Sequence, residues 1–185
     1  MQYPFKLPHT ISNPMGEILT FHSIENENGV KKMIVFNQLQ PGAGPPFHVH
    51  FKQEESLTVT KGLMGYEVEG QEEKFLKEGE TVVFKKGQMH RFWNAGHEPL
   101  ECKGWIKPAN SVDYFLTGIY NSMTKAGNPK GDSFDSAFLM TRYKSEYDIK
   151  DIPAFVKKII FPITVFVGNL LGKYKHFKNA PKPLN

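Results

Sequence analysis

Between residues 17 and 107 apolar and polar residues alternate in short runs, and this pattern restricts the fold more than any other feature of the chain. A period of two puts every second side chain on one face of an extended strand. Glu17–Ser23, Lys31–Leu39, Ser56–Thr60, Leu63–Val68, Glu73–Leu76, Thr81–Phe84, Gln88–Phe92 and Leu100–Lys107 all read this way. Gly- and Pro-rich or polar turns separate them, with Glu69-Gly70-Gln71-Glu72 reading as a hairpin loop and Lys86-Gly87 as a turn. Eight short strands with tight turns predict an all-β sandwich or jelly roll, not a parallel sheet with crossover helices.

The pattern changes after Pro108. Val112, Phe115, Leu116, Ile119 and Met123 follow helical spacing, with Asn110 or Ser111 as a cap, and Phe134, Ala137 and Phe138 mark a second helix. A third segment, Ile152–Leu171, contains Pro162, which should kink or break it. The expected organisation is a barrel with N-terminal strands over 1–110 and a helical extension over 111–185, packed on the barrel or on a partner. A chain of 185 residues can bury such a core without disulfides, and its single cysteine, Cys102, excludes an intramolecular one. That suits a reducing cytoplasm, and the proline-broken N-terminus does not read as a signal peptide.

His48 and His50 sit two apart after a Pro- and Gly-rich stretch, so on a strand both imidazoles project from the same face. Glu54 and Glu55 compete to supply a carboxylate. Parity from His50 favours Glu54, but Glu55 shares parity with Leu57 and Val59, and a bend at Phe51–Gln53 would reset the register in its favour. His90 follows forty residues after His50, far enough for a later antiparallel strand to come alongside, and it shares parity with Phe92 and Asn94. Each histidine alone is better read as an ordinary polar residue; the four together read as ligands for one divalent metal. Three neutral imidazoles and a carboxylate suit Zn, Mn, Fe, Co, Ni or Cu rather than Ca or Mg. On an octahedral ion they would leave two positions open, and on a tetrahedral ion none.

These residues resemble the two motifs of the cupin superfamily. The first runs Gly42, five residues, His48-Val49-His50, four residues, Glu55, six residues, Gly62; the second runs Gly79, five residues, Lys85, one residue, Gly87, two residues, His90, three residues, Asn94. Lys85 stands where the family usually has proline, a departure that touches a turn and not a ligand. Sixteen residues separate the motifs, as in compact single-barrel bacterial cupins. The resemblance implies a double-stranded β-helix holding a transition metal through His48, His50, Glu55 and His90. It also implies dioxygenases, isomerases, epimerases or decarboxylases as reaction classes.

Phe47, Tyr66, Phe92 and Asn94 are candidates to line a pocket, and Phe84 and Trp105 to line the barrel. Such a pocket would suit an apolar or aromatic molecule better than a sugar phosphate, since the barrel segment has one arginine, Arg91, with outward parity. Cys102 reads as a buried, inert thiol. The formal charge of +4 is concentrated at the end: six lysines and no acidic residue follow Asp151. No basic patch or helix-turn-helix accompanies the motifs, so nucleic acid is not an expected partner. The apolar stretch Ile159–Leu171 is too short to span a membrane; it fits packing on the barrel or in a homodimer, or an interfacial anchor through 152–185. The expected function is a metal-binding cupin acting on a small organic molecule, dioxygenase-like. The alternative is a non-catalytic ligand-binding or sensing cupin, peripheral to a membrane. Tyr66 and Glu54 could give acid–base help, but spacing assigns neither.

Overall fold

The computed structural model describes residues 5–184. It is a two-sheet jelly roll followed by helices, the fold class the alternation and the motifs predict. The strands are β1 (His9–Asn13), β2 (Glu17–Glu27), β3 (Val30–Leu39), β4 (His48–His50), β5 (Glu54–Lys61), β6 (Met64–Val68), β7 (Lys74–Leu76), β8 (Thr81–Phe84), β9 (Met89–Asn94), β10 (Leu100–Lys107) and β11 (Tyr147–Ile149). One sheet has the order β1-β2-β3-β10-β5-β8 and the other β11-β4-β9-β6-β7. Every strand pairing is antiparallel.

Alternation does what it should. Leu39, Leu57, Val59, Met64, Phe84, Phe92, Leu100 and Cys102 point inward from both sheets and form the barrel core. Gly65 is needed where β6 passes under the indole of Trp93, because a Cβ there would lie 2.3 Å from the ring. Gly44 plays the same part where the loop before β4 crosses β9, with space for no side chain against the Phe92 carbonyl.

The helices are α1 (Val112–Ala126), α2 (Ser133–Arg142) and α3 (Phe161–Leu170). α1 closes one end of the roll, where Val112 and Tyr120 join Leu19, Phe21, Val35 and Ile106 in a second core cluster. Ser111 occupies the position before α1 but makes no capping bond. Its hydroxyl instead donates to Glu146 at 2.9 Å, and Asn110 is drawn to the same carboxylate. Glu146 is fully buried and also accepts from Gln53 at 2.6 Å and from the Leu184 backbone N–H. It thereby ties the corner before β5, the entry to α1 and the C-terminal segment to β11, the strand beside β4.

Pro162 does not break its helix. A π-helical turn, Val156–Ile160, precedes α3, and the Phe161 N–H bonds to the Val156 carbonyl. Pro162 is the second residue of α3 in a helical run continuous from Ala154, and it follows directly on this widened turn, the local adjustment that lets the helix carry a residue with no N–H. No helix among the described residues is long and apolar enough to cross a membrane.

Candidate metal centre

β4 and β9 pair so that His48 lies directly opposite His90. β4 ends at His50, the chain bends at Phe51–Lys52, and the pleat restarts with Gln53, Glu55, Leu57 and Val59 on the buried side. That bend decides between the two glutamates. Glu55 turns inward among the histidines, while Glu54 lies on the other face of β5, half-buried.

Each of His48, His50, Glu55 and His90 offers a ligand atom, and the four atoms lie within 4.8 Å of one another. Glu55 Oε2 is 3.1 Å from His90 Nε2, 3.7 Å from His50 Nε2 and 3.8 Å from His48 Nε2. Ligands bound at about 2.1 Å around a single ion stand roughly 3 to 4 Å apart, so these separations fit one transition metal.

The hydrogen bonds say which ring nitrogens face the centre. His48 Nδ1–H donates to the Pro46 carbonyl and His90 Nδ1–H to the Gln88 carbonyl, both at 2.9 Å. Neutral rings so held turn their Nε2 lone pairs inward. His90 then presents a lone pair to a carboxylate oxygen 3.1 Å away, which is repulsive unless a positive centre joins them. His50 Nδ1 is buried with no partner, and its ring meets Tyr147 edge-on. Phe84 stacks on His90 with ring centroids 3.9 Å apart, fixing that ring from behind.

Electrostatics also favour ligation. Burial pushes His50 down to about 3, with the charge of Glu55 opposing the shift and His48 and His90 adding to it. His90 is lowered as well, first by burial and then by His48. Burial alone would raise Glu55, but the three imidazoles around it, which when protonated would donate to it and oppose its charge, hold it well below the usual carboxylate range. Near neutral pH the cluster therefore presents neutral imidazole from His50 and His90 and an anionic oxygen from Glu55, the forms that bind metal.

His48, His50 and Glu55 open onto a cavity of about 660 Å³. Of the expected pocket residues, Phe92 lines it. Phe47 instead lies on the outer surface beneath Arg91 and Lys150, with both cations about 4.9 Å from its ring. Tyr66 packs edge-on against Phe84 among the residues around the barrel core. Asn94 is a fastener: its amide donates to the Leu39 and Glu98 carbonyls and accepts from Gly96 N–H. Trp105, expected along the barrel interior, alternates with the inward Gly104 and Ile106 and packs under Lys107.

The wall also holds polar residues that the motifs do not mark. Tyr120 from α1 donates to Glu17 from β2 at 2.6 Å, and both are buried. Burial raises the Tyr120 phenol well above its usual value, and Glu17 and then Glu55 add to the shift. Asn13 and Asn37 line the same cavity, and Asn13 Nδ2 and Asn37 Oδ1 are buried without partners. Parity could have found Glu17 and Asn37, since each falls on the inward face of its strand beside Leu19 or Leu39. Among the described residues, no lining side chain is Lys or Arg.

Residues 35–106 match the family model of the cupin domain. That segment, about two fifths of the chain, is similar to the cupin domain in sequence and has its jelly-roll fold. Oxidoreductase iacF of Pestalotiopsis fici is 32% identical over 75 residues, covering 40% of this chain and 37% of that protein. The probable oxidoreductase virH of Hypocrea virens is 32% identical over 68 residues, covering 36% and 31%. The matches thus span about a third of the length of these curated relatives. Among solved structures, a double-stranded β-helix protein from Klebsiella pneumoniae is similar with a TM-score of 0.45 and 26% identity, covering 51% of this chain and 79% of that one. KdgF from Halomonas sp. gives 0.47 and 19%, covering 53% and 84%.

Proposed function

We propose that the protein binds one divalent transition metal through His48, His50, Glu55 and His90 and uses it in oxidoreductase chemistry on a small, uncharged, mainly apolar molecule. The observation that carries this reading is the convergence of four donor atoms at the wall of an apolar cavity free of lysine and arginine. The names of the curated relatives favour oxidation–reduction over isomerisation.

A redox-active ion in this cage would supply Lewis-acid and electron-transfer chemistry at a substrate oxygen. The protein's own part is positional. The Pro46 and Gln88 carbonyls aim two imidazoles, Glu55 supplies negative charge, and Leu57, Phe92 and Ile119 keep the adjoining space apolar. Tyr120, held neutral by burial and oriented by Glu17, can bind a substrate oxygen or retain a proton beside it. An anionic substrate would meet Glu17 and Glu55 with no cation on the wall, which disfavours sugar phosphates. We read residues 1–110 as the barrel unit and 111–185 as an extension that completes the cavity. The buried, unpaired Cys102 accords with a reducing compartment such as the cytoplasm.

Elemental analysis of the purified protein tests the site. About one equivalent of transition metal per chain is expected, lost in a His48→Ala/His50→Ala double variant. Unchanged stoichiometry in that variant refutes the ligand set. Screening Fe-, Mn-, Ni- and Cu-loaded protein under air tests the reaction, and tight metal binding without turnover on apolar alcohols and phenols would replace the enzyme by a ligand-binding protein.

A further inference from the structure

α3 and the π-helical turn before it expose a continuous apolar face. Phe155, Ile159, Ile163, Phe166 and Leu170 follow one another at intervals of three or four, so they form one stripe. All are exposed, Phe166 at 66% and Leu170 at 73% of the full side chain's reach to solvent. Ile160, Val167 and Leu171 widen the stripe on its flanks. Single exposed apolar residues are ordinary, but a contiguous face of eight is not.

The helix cannot hide this face by rolling over. Its opposite side is already committed, with Phe161 and Val165 packed in the cluster that contains Tyr174, Leu139 and Phe138. Gly168 is buried against the Tyr174 ring, which leaves no space there even for a methyl group. The stripe is therefore held outward.

Charge identifies what covers it. No Asp or Glu occurs after residue 151, whereas Lys157 and Lys158 stand beside the first turn of the stripe and Lys173, Lys175 and Lys178 follow it; of these, Lys157 is paired with Asp148 at 2.7 Å. A second copy of the helix, packed parallel or antiparallel, would bring lysines against lysines with no carboxylate from either helix to neutralise them. An anionic bilayer surface offers an acyl layer for the stripe and negative headgroups for the lysines. The fifteen residues of the turn and α3 reach only about 22 Å, short of the roughly 30 Å hydrocarbon core, so the helix lies in the interface and does not cross it. We propose that α3 docks the protein on anionic membrane surfaces, with Phe155–Leu170 at the headgroup–acyl boundary and the flanking lysines on acidic headgroups. The metal site plays no part in this inference.

Co-sedimentation of the full chain with phosphatidylcholine vesicles, with and without phosphatidylglycerol, tests it. Binding is expected to the phosphatidylglycerol vesicles and to weaken with added salt. Ile163→Asp/Phe166→Asp, at exposed positions that leave the packed side intact, should weaken it roughly tenfold or more. Lys158→Glu/Lys175→Glu should erase the preference for the anionic vesicles. Circular dichroism and unchanged metal content would show that the variants are folded. No sedimentation of the unaltered protein, or equal binding to both vesicle types, overturns the proposal. So does a dimer by light scattering that Ile163→Asp/Phe166→Asp converts to monomer, because the covering surface would then be a second copy.

Discussion

Stripping the metal should make the stability of the protein fall steeply with pH, and His50 sets a lower bound on how far. Its imidazolium is pushed from the ordinary 6.5 down to about 3 in the folded chain, chiefly by burial. Below 6.5 the unfolded chain binds a proton at this site that the folded chain refuses. Stability present above 6.5 is thus lost progressively as the pH falls toward 3. Between about pH 7.5 and about pH 5 that single site removes about 2 kcal/mol. His90, lowered by burial, acts in the same direction over the upper part of this window, and Glu55 adds to it at pH values below the ordinary carboxylate range. Urea unfolding of chelator-treated protein at the two pH values measures the loss, which corresponds to a fall in Tm of roughly 4–8 °C for a chain of this size. The variant His50→Leu keeps an apolar side chain of similar volume and should lose about 2 kcal/mol less over the same interval. Metal-loaded protein should stay flat until protons displace the ion, because the ligand nitrogens must be deprotonated to bind. Equal losses in the unaltered and His50→Leu proteins would refute the burial of an uncharged His50 at the centre.

Three other perturbations have defined outcomes. Glu146→Ala leaves Gln53, Asn110, Ser111 and the Leu184 N–H without their common acceptor and should cost about 3–5 kcal/mol in urea unfolding; a loss under about 1 kcal/mol would show that water replaces the carboxylate. Gly65→Ala drives a methyl group into Trp93 and should cost about 1–3 kcal/mol, with a shift in tryptophan emission reporting the displaced ring. Cys102, buried and pushed up to about 12, should resist thiol reagents at neutral pH until the protein unfolds; rapid labelling of the native protein would mean that the barrel core opens.

The barrel was legible because alternation is a local property. Strands whose inward residues run Val35, Asn37, Leu39 or Glu55, Leu57, Val59 state their buried face directly. The convergence of the candidate ligands was legible for a related reason: His48 and His50 share a pleat, and only the bend after His50 had to be supplied to favour Glu55 over Glu54. β1 and β11 escape this reading. β11 is only Tyr147–Ile149, held by its partner β4 and by Glu146 more than by its own pattern. The two capping candidates, Asn110 and Ser111, were misread for the same reason, since a carboxylate thirty-five residues downstream competes for their side chains. Phe47 and Asn94 show the limit of parity, which gives the side of a strand but not whether that side meets a cavity, a carbonyl or solvent.

The division of labour in the cavity suggests where its selectivity lies. The two motif segments supply the His48, His50, Glu55 and His90 cluster and the strands that align it. About half of the residues that bound the remaining space come from outside the matched segment. Phe115, Ile119 and Tyr120 descend from α1, Tyr147 and Ile149 come from β11, and Asn13 and Glu17 stand at the start of the roll. These elements are locked to one another by Tyr120 on Glu17 and by Glu146 on both Gln53 and Ser111. Replacing one of these wall residues therefore reshapes the space without touching the cage. Tyr120→Phe should leave metal content unchanged while altering which molecules bind, whereas a change at His48 should abolish both. The His/Glu cluster and much of the cavity wall around it thus come from different parts of the chain, the wall drawing on the N-terminal strands and the helical extension.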